Sequence, residues 1–271
     1  MSLYDRLGGH AGLREVVVDF VGRLGADPKI NGYFLNRSVD TDHLVTCLVA
    51  QLGAATGGPE VYPDPALGCR DMATAHQGLG ISTQDFDDLL GHLVDALTAA
   101  GAAPADIATI AAVLQPMADD VVEDPGNDAT VYQRVGRKPA IAAVVTDFEA
   151  RVAADDRVNG FFATVTDFTR LHACLTRQVC GIDGPCRYGE EEAAEFAPLV
   201  NQAPCRSMAE THVGLMSGAS VITIDDFNAI AENLVAALTA AGVATGDIDA
   251  IVGAIAPLCD QIVAGGVGCA P

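Results

Sequence analysis

The segment CRDMATAHQGLG (residues 69–80) recurs later in the chain as CRSMAETHVGLM (residues 205–216). Both copies place Arg, Met and Ala at matching offsets, and both place a histidine seven residues after the cysteine. His76 and His212 recur in this way, whereas no other histidine of the first half has a histidine counterpart. A single such histidine is most simply explained by a satisfied hydrogen bond in the core. Its recurrence favours a shared role for the pair, and a neutral imidazole is a common metal ligand.

The duplication extends over most of the chain. LYDRLGGHAGLREVVVDFVGRLGADPKINGYF matches VYQRVGRKPAIAAVVTDFEARVAADDRVNGFF, HLVDALTAAG matches NLVAALTAAG, and LQPMADDVV matches IAPLCDQIV. The repeat is too long for a solenoid unit, so the sequence predicts two complete domains. Since EDPGND is typical of a joint, we expect domain 1 over 1–124, a linker over 125–129 and domain 2 over 130–271.

Each domain is predicted to be helical. Apolar residues recur at the spacing of one helix face at Leu13, Val16, Val17, Phe20, Val21 and Leu24. Ser82 or Thr83 can cap a helix that stops at Gly101, and Pro104 suits the first turn of the next helix. Strand-type alternation is almost absent. The predicted fold class is therefore all-α, with two consecutive helical domains.

The composition narrows the classes of partner. The chain carries 36 acidic and 15 basic residues, for a net charge of −21. Such a surface repels phosphate backbones and anionic lipids, so we expect neither nucleic-acid nor membrane partners. It is compatible with docking a basic electron-donor protein. No apolar run approaches the roughly 18 residues of a membrane span, and the N-terminal segment lacks the pattern of a signal peptide. These features predict a cytoplasmic protein.

The order of these motifs resembles the truncated haemoglobins, specifically the group I type. LYDRLGGH, VVVDF, LGAATGGPEVY, AHQGLGIS, DFDDLLGHLVDALTAAG and LQPMADDVV are similar to the family's successive landmarks over residues 2–123 and, more loosely, over 130–265. The resemblance implies two-over-two helical sandwiches holding up to two haem b groups per chain. It makes His76 and His212 the proximal iron ligands. Residues inserted on both sides of His212 depart from the family pattern.

The resemblance also assigns residues to the two haem pockets. Where group I members carry a distal tyrosine and often a glutamine, this chain has Val21 and Leu48, and then Glu149 and Leu175. An apolar first pocket offers no hydrogen bond to bound O₂; Tyr33, or a protonated Glu149 in the second pocket, is a remaining candidate donor. The expected haem contacts are Phe20, Val21, Phe34, Leu44, Cys47 and Leu48, followed by Phe148, Glu149, Phe162, Leu171, Cys174 and Leu175.

Cysteines next to the distal leucines are open to three interpretations. The first is iron ligation: Cys47 and Cys174 stand where some relatives place a histidine that binds iron as a sixth ligand, and a thiolate can take that role. The second is a disulfide with the cysteine that begins each repeated segment. The third is packing as a small hydrophobe. His43 and His172 are weaker candidates for the sixth ligand.

The remaining cysteines belong to the second half. Cys180 and Cys186 flank a GIDGP turn that brings them within bonding range. Together with Cys205 they form a weak candidate zinc site, because the spacing is not that of a familiar zinc motif. Cys269, in the C-terminal tail, is expected to be exposed.

These assignments favour a tandem haemoglobin that binds O₂, NO or CO at haem iron, in gas binding, sensing or NO and redox chemistry. A weak NO dioxygenase or peroxidase-like activity would require an electron donor. Two competing functions are compatible with the same residues. One is an electron-transfer protein with six-coordinate haem, which His/thiolate ligation would favour, and the second is a globin scaffold in which one or both haem sites are empty.

Overall fold

The computed structural model describes residues 1–35, 39–189 and 205–269 and is predominantly helical, as predicted. The chain divides into two compact units. The first holds residues 1–129, and the second begins at Thr130 and holds the described residues that follow. Within the described ranges, no helix combines the length and apolar character needed to cross a membrane.

The first unit consists of helices joined by loops. Its helices are α1 (Leu3–Arg6), α2 (Gly9–Ala26), α3 (Gly32–Leu35), α4 (Thr41–Ala55), α5 (Met72–His76), α6 (Thr83–Ala99), α7 (Pro104–Leu114) and α8 (Ala118–Val121), with a 3₁₀ turn at Gln115–Met117. The longest helix, α2, packs against α4 and α6. Leu13, Val17 and Leu24 on the predicted face of α2 are at most 1% exposed. Burying each such side chain contributes about 1.5–3 kcal/mol, so this face anchors both neighbouring helices.

Local signals in the sequence fix the ends of these helices. The Ser82 hydroxyl accepts a hydrogen bond from the Asp85 amide, and the Asp85 carboxylate accepts one from the Ser82 amide. This reciprocal cap begins α6. Gly101, at φ +79°, follows the last turn of α6 in the left-handed conformation that favours glycine. Pro104 lies in the first turn of α7, where its missing N–H costs no helical bond.

The second unit repeats this order of elements. Its helices are α9 (Val131–Val135), α10 (Arg137–Ala154), α11 (Phe168–Cys180), α12 (Met208–His212), α13 (Ile224–Ala240), α14 (Thr245–Ile255) and α15 (Cys259–Ile262), with 3₁₀ turns at Asn159–Phe162, Ala256–Leu258 and Ala264–Gly266. Helices α2 and α10 have 18 residues each, α6 and α13 have 17, and α7 and α14 have 11.

A short hairpin distinguishes the second unit. Strands β1 (Met216–Ser217) and β2 (Ser220–Val221) pair in antiparallel fashion directly after α12, with Met216 opposite Val221. Gly218 takes φ +61° in the turn, a conformation that glycine adopts without strain. The hairpin lies in the insertion that follows His212. The extra residues therefore form their own local structure, and α13 keeps the same length as its counterpart α6.

All eight cysteines form disulfides. The pairs are Cys47–Cys69, Cys174–Cys205, Cys180–Cys186 and Cys259–Cys269. The predicted zinc site is therefore wrong, because each of its three sulfurs is bonded to another sulfur; no group of three or more candidate ligands is found among the described residues. Cys269, which was expected to be exposed, is half-buried and bonded to Cys259.

Candidate functional site

A cavity of about 530 Å³ lies within the first unit, a size typical of small-molecule and cofactor sites. Helices α2, α4, α5, α6 and α8 supply its walls. Its apolar lining consists of Phe20, Leu24, Ile30, Phe34, Leu44, Leu48, Leu52, Leu79, Ile81, Phe86, Leu89, Leu90, Leu93, Leu114, Met117 and Val121. Asp40, His43 and Arg70 also line it and are exposed, so they mark the side open to solvent.

His76, at the end of α5, lines this cavity and is half-buried. Its Nδ1 lies 2.8 Å from the backbone carbonyl of Met72, one helical turn earlier. Since a carbonyl only accepts hydrogen bonds, Nδ1 must carry a proton, and in the neutral tautomer Nε2 keeps a free lone pair. An imidazole held in this way is prepared to bind a metal through Nε2.

His212, at the end of α12, repeats this geometry. Its Nδ1 lies 2.8 Å from the carbonyl of Met208, and the ring is also half-buried. Met72 and Met208 each lie four residues before their histidine and three after a disulfide-bonded cysteine. The chain therefore contains two imidazoles of the same tautomer in matching local structures. An apolar cavity with one free imidazole nitrogen suits haem, so the first unit fits the cofactor implied by the resemblance.

Glu123 holds the loop that follows His76. Its two carboxylate oxygens accept hydrogen bonds of 2.6 Å from the amides of Gly78 and Gly80. Both glycines have positive φ, which turns successive amides toward one acceptor. The sequence patterns did not identify Glu123, because the two segments are more than 40 residues apart. The glutamate that begins the EDPGND joint and the two closely spaced glycines were the only signal.

Several of the predicted haem contacts on α2, α3 and α4 are apolar residues that meet at the first cavity. Phe20, Phe34, Leu44 and Leu48 all line the cavity. Val21 does not: it is 3% exposed and packs in the helical core beside the cavity.

The hydroxyl of Tyr33 is hydrogen-bonded to another side chain. It lines the cavity, but its hydroxyl donates to the Asp85 carboxylate at 3.0 Å. Asp85 is itself buried at the start of α6, where its carboxylate also accepts the hydrogen bond from the Ser82 amide that caps that helix. The hydroxyl is therefore directed at α6 rather than toward a ligand in the cavity.

The structure corrects the assignment of Cys47 and Cys174 as thiolate ligands. Cys47 lines the cavity as predicted, but its sulfur is bonded to that of Cys69, and Cys174 is bonded to Cys205. A sulfur in a disulfide is not a thiolate and cannot serve as one toward iron. Of the three interpretations, the structure selects the disulfide. His43 stands next to this bond, with its Nε2 3.6 Å from the Cys47 sulfur.

The counterpart residues of the second unit lie on α10, α11 and the Asn159–Phe162 turn. Phe148 is buried, and Phe162 and Leu175 pack against the same core cluster. Leu171 is half-buried on α11. His172 contacts Glu149, with 3.1 Å between Nδ1 and Oε2, while Oε1 of Glu149 is buried without a hydrogen-bond partner among the described residues. The corresponding pair of the first unit, Val21 and Val45, is apolar and buried.

A tyrosine hydrogen bond also recurs in the loop that precedes each proximal helix. Tyr62 donates to the carbonyl of Arg70 at 2.8 Å, and Tyr188 donates to the carbonyl of Arg206 at 2.7 Å. Burial raises the pKa of both tyrosines, so each hydroxyl remains a donor at neutral pH. Each acceptor directly follows the cysteine that is bonded to the distal helix.

Comparison with known proteins gives matches to one family. The model of the bacterial-like globins matches residues 2–123. A Group 1 truncated hemoglobin GlbN from Mycolicibacterium paratuberculosis is 35% identical over 130 residues, which are 90% of that protein and 48% of this chain. A Group 1 truncated hemoglobin from Tetrahymena pyriformis is 26% identical over 121 residues, 94% of its length and 45% of this chain. The crystal structure of the truncated hemoglobin from Tetrahymena pyriformis in its Fe(III) form is 25% identical, covers 45% of this chain and 98% of that one, and has a TM-score of 0.41.

Proposed function

Because this chain belongs to the truncated haemoglobin family, whose members are haem-binding globins, we propose that it is a tandem haemoglobin that binds one haem b in each unit. Each match covers less than half of the chain, so the proposal of a second site rests on the internal repeat. The observation that carries it is the repeated imidazole–carbonyl pair, at 2.8 Å in both units.

Different residues of the first unit would bind the iron and cover the haem. His76 would bind iron through Nε2, and the Met72 carbonyl keeps the proton on Nδ1. Leu44 and Leu48 cover the opposite side of the cavity and exclude water. When bound, the haem supplies an open coordination position at which a diatomic gas binds. We therefore propose O₂, NO and CO as the ligand class.

The apolar distal wall sets the preference among these gases in the first unit. Leu44 and Leu48 offer no hydrogen-bond donor, and the Tyr33 hydroxyl is held by Asp85. The Gln51 amide also lines the cavity, but its nitrogen is directed at the sulfur of Met117 at 3.0 Å. A ligand with little charge on its outer atom, such as CO, loses little in such a pocket, whereas bound O₂ is left without a partner. The first unit should bind CO readily and release O₂ quickly.

Redox roles receive less support. Thiolate ligation would have favoured the electron-transfer function, and both candidate sulfurs are in disulfides, which leaves only the weaker candidates His43 and His172 as a sixth ligand. The net charge of −21 remains suited to a basic electron-donor protein, which any NO dioxygenase or peroxidase-like activity would require.

We also propose that the protein meets an oxidising environment. Eight paired cysteines are unusual where glutathione and thioredoxin keep thiols reduced, which disfavours the cytoplasmic location expected from the sequence. Peptide mapping of the protein, alkylated on extraction from its natural host, would show which pairs exist there.

The decisive test is iron and haem content per chain, with the absorption spectrum. After reconstitution with excess haem, the wild type should hold two haems that acid-acetone extracts, and His76→Ala and His212→Ala should each hold one. Gln77→Ala and Val213→Ala, at exposed neighbouring positions, are matched controls and should hold two. Absence of a Soret band in the reconstituted wild type would contradict the proposal, and one haem that only His76→Ala removes would restrict it to the first unit.

A further inference from the structure

We propose that the disulfide Cys47–Cys69 is a redox-operated clasp on the first haem pocket, and that Cys174–Cys205 is its counterpart in the second unit. The bond, while intact, retains the haem; its reduction by a dithiol lets the haem leave faster. The inference rests on the proposed function, since it concerns the retention of the cofactor assigned there.

The bond ties a helix that lines the cavity to the segment that leads to His76. Cys47 lies on α4 between Leu44 and Leu48, and all three side chains line the cavity. Cys69 lies near the end of the loop between α4 and α5, seven residues before His76, which also lines the cavity. The disulfide therefore fixes the distal helix to the segment that carries the proximal histidine.

The later part of the loop closed by this bond, residues 61–70, lies against α4 at Gly68 and His43 but makes no hydrogen bond to the described residues of that helix. The hydrogen bonds of residues 61–70 are internal to that segment, such as the one from Tyr62 to Arg70 and the one from the Cys69 amide to the Asp64 carbonyl at 2.9 Å. Tyr62, Gly68 and Arg70 nevertheless line the cavity. Without the disulfide, no hydrogen bond between this segment and the described residues of α4 would hold that side of the cavity.

An equivalent disulfide occurs in the second unit, where it closes a longer loop. Cys174 lies on α11 and Cys205 lies seven residues before His212, but the cysteines are 31 residues apart, whereas Cys47 and Cys69 are 22 apart. Tyr188 repeats the tyrosine hydrogen bond next to Cys205. The loop was lengthened while its covalent closure stayed in place.

The two remaining disulfides provide a contrast. Cys180–Cys186 and Cys259–Cys269 close short segments of 6 and 10 residues and have no counterpart in the first unit. Cys180–Cys186 ties the last residue of α11 to the turn directly after it, and Cys259–Cys269 ties α15 to the C-terminal tail. Neither bond reaches the residues next to the proximal histidine, as Cys69 and Cys205 do. Removing one of them therefore controls for the general effect of losing a disulfide on the rate of haem loss.

The burial of the two sulfurs indicates how the bond is opened. The helical cysteines, Cys47 and Cys174, are half-buried, whereas their partners Cys69 and Cys205 are 3% and 4% exposed. A thiolate of the dithiol attacks the accessible Cys47 sulfur, and the Cys69 sulfur leaves and takes up a proton. The second thiol of the reductant then closes on the first and releases Cys47 as a thiol. Two electrons and two protons pass to the cysteines, and the dithiol becomes a disulfide.

Haem loss to excess apomyoglobin tests the clasp in the full chain. To observe one site at a time, the transfer is followed in a His212→Ala background, with the protein oxidised or treated with dithiothreitol. We expect reduction to accelerate haem loss from the first unit about tenfold, a modest share of the constraint that a disulfide of this loop length imposes. The Cys47→Ala/Cys69→Ala variant should lose haem at the fast rate in either condition. Cys180→Ala/Cys186→Ala should keep the slow rate when oxidised and the fast rate when reduced. Equal rates for the oxidised and reduced protein would overturn the proposal.

A second measurement does not depend on haem or on a variant that folds. In the apoprotein, hydrogen exchange of residues 57–80 should accelerate on reduction, while α2 keeps its protection. Unchanged exchange in that segment would also overturn the clasp. If the protein never binds haem, the proposed function fails, and the exchange experiment still decides whether the bond holds the loop.

Discussion

At the scale of single residues, Glu123 links the end of α8 to the loop behind His76 through two 2.6 Å hydrogen bonds. Replacing Glu123 with Ala should leave the amides of Gly78 and Gly80 without their acceptor and let the proximal loop shift. We expect weaker haem binding in the first unit and a shifted Fe–His stretching band in resonance Raman spectra, measured in a His212→Ala background. Glu123→Gln keeps one acceptor oxygen and should show a smaller shift. A Glu123→Ala protein with an unchanged band would show that the loop holds its position without the carboxylate.

Asp27 and Asp155 illustrate how one residue couples stability to pH. Asp27 follows the last residue of α2, and Asp155 follows the last residue of α10. The Asp27 carboxylate contacts His92 on α6 at 2.7 Å, and the Asp155 carboxylate accepts a hydrogen bond from Asn233 on α13 at 2.7 Å. Burial alone would raise the pKa of Asp27, but the hydrogen bonds from the Lys29 amide and His92 outweigh it, so the pKa of Asp27 is lowered. For Asp155 the hydrogen bond from Arg157 is the largest cause of its lowered pKa.

A carboxylate with a lowered folded-state pKa stabilises the fold above its unfolded pKa of about 4, and this contribution disappears as the pH falls toward the folded value. The free energy of unfolding of the wild type should therefore fall on acidification from pH 5 to 3. Asp27→Asn should be less stable at pH 6 and lose less on acidification, as chemical denaturation at each pH would measure. Asp19→Asn, at an exposed position on the same helix, is the control. Parallel pH curves for Asp27→Asn and the wild type would exclude this role of Asp27.

At the scale of the elements, the contact between α10 and α11 differs from that between α2 and α4. Glu149 and His172 form a partly buried polar pair, and one carboxylate oxygen has no hydrogen-bond partner in the described part of the chain. Replacing both with Leu should be neutral or stabilise the second unit by about 1–2 kcal/mol, because apolar packing of similar volume replaces two desolvated polar groups. His172→Leu alone should destabilise it by about 1–3 kcal/mol, since the carboxylate then loses its partner. Urea denaturation of the three proteins measures both effects, and a stabilising single variant would contradict the explanation.

At the scale of the whole molecule, one chain combines two distal sides of different polarity. Leu44 and Leu48 of the first unit have leucine counterparts in the second, Leu171 and Leu175. The units differ at the next contact: Val21 and Val45 are apolar and buried between α2 and α4, whereas Glu149 and His172 form a polar pair between α10 and α11. We expect stopped-flow O₂ dissociation from the wild type to show two phases. His212→Ala should retain the fast phase of the first unit, and His76→Ala should retain the slower one.

Leu48→Gln tests the physical reason for the fast phase. In the His212→Ala background it places an amide donor in the cavity, and O₂ release should slow at least about tenfold, as one new hydrogen bond of ~1.4 kcal/mol would produce. Leu48→Met keeps the wall apolar and should leave the fast phase in place. Slow O₂ release from the unit with Leu48 intact would reveal a donor other than Tyr33.

The sequence by itself determined the features that depend on neighbours within a helical turn and on the internal repeat. The helical class, the cap at Ser82, the stop at Gly101 and the paired histidines could all be predicted, because their signals are local. The resemblance to the truncated haemoglobins added the cavity-lining positions on α4, since a face of a helix follows from its period.

Only the tertiary structure decided among contacts between distant segments. Three interpretations of Cys47 were open in the sequence, and the disulfide is selected because folding brings the Cα atoms of Cys47 and Cys69 to 5.4 Å. The burial of Val21 depends likewise on how closely α2 approaches α4, and the role of Glu123 depends on where α8 ends. Spacing along the chain does not encode such distances, because they arise from how whole helices pack.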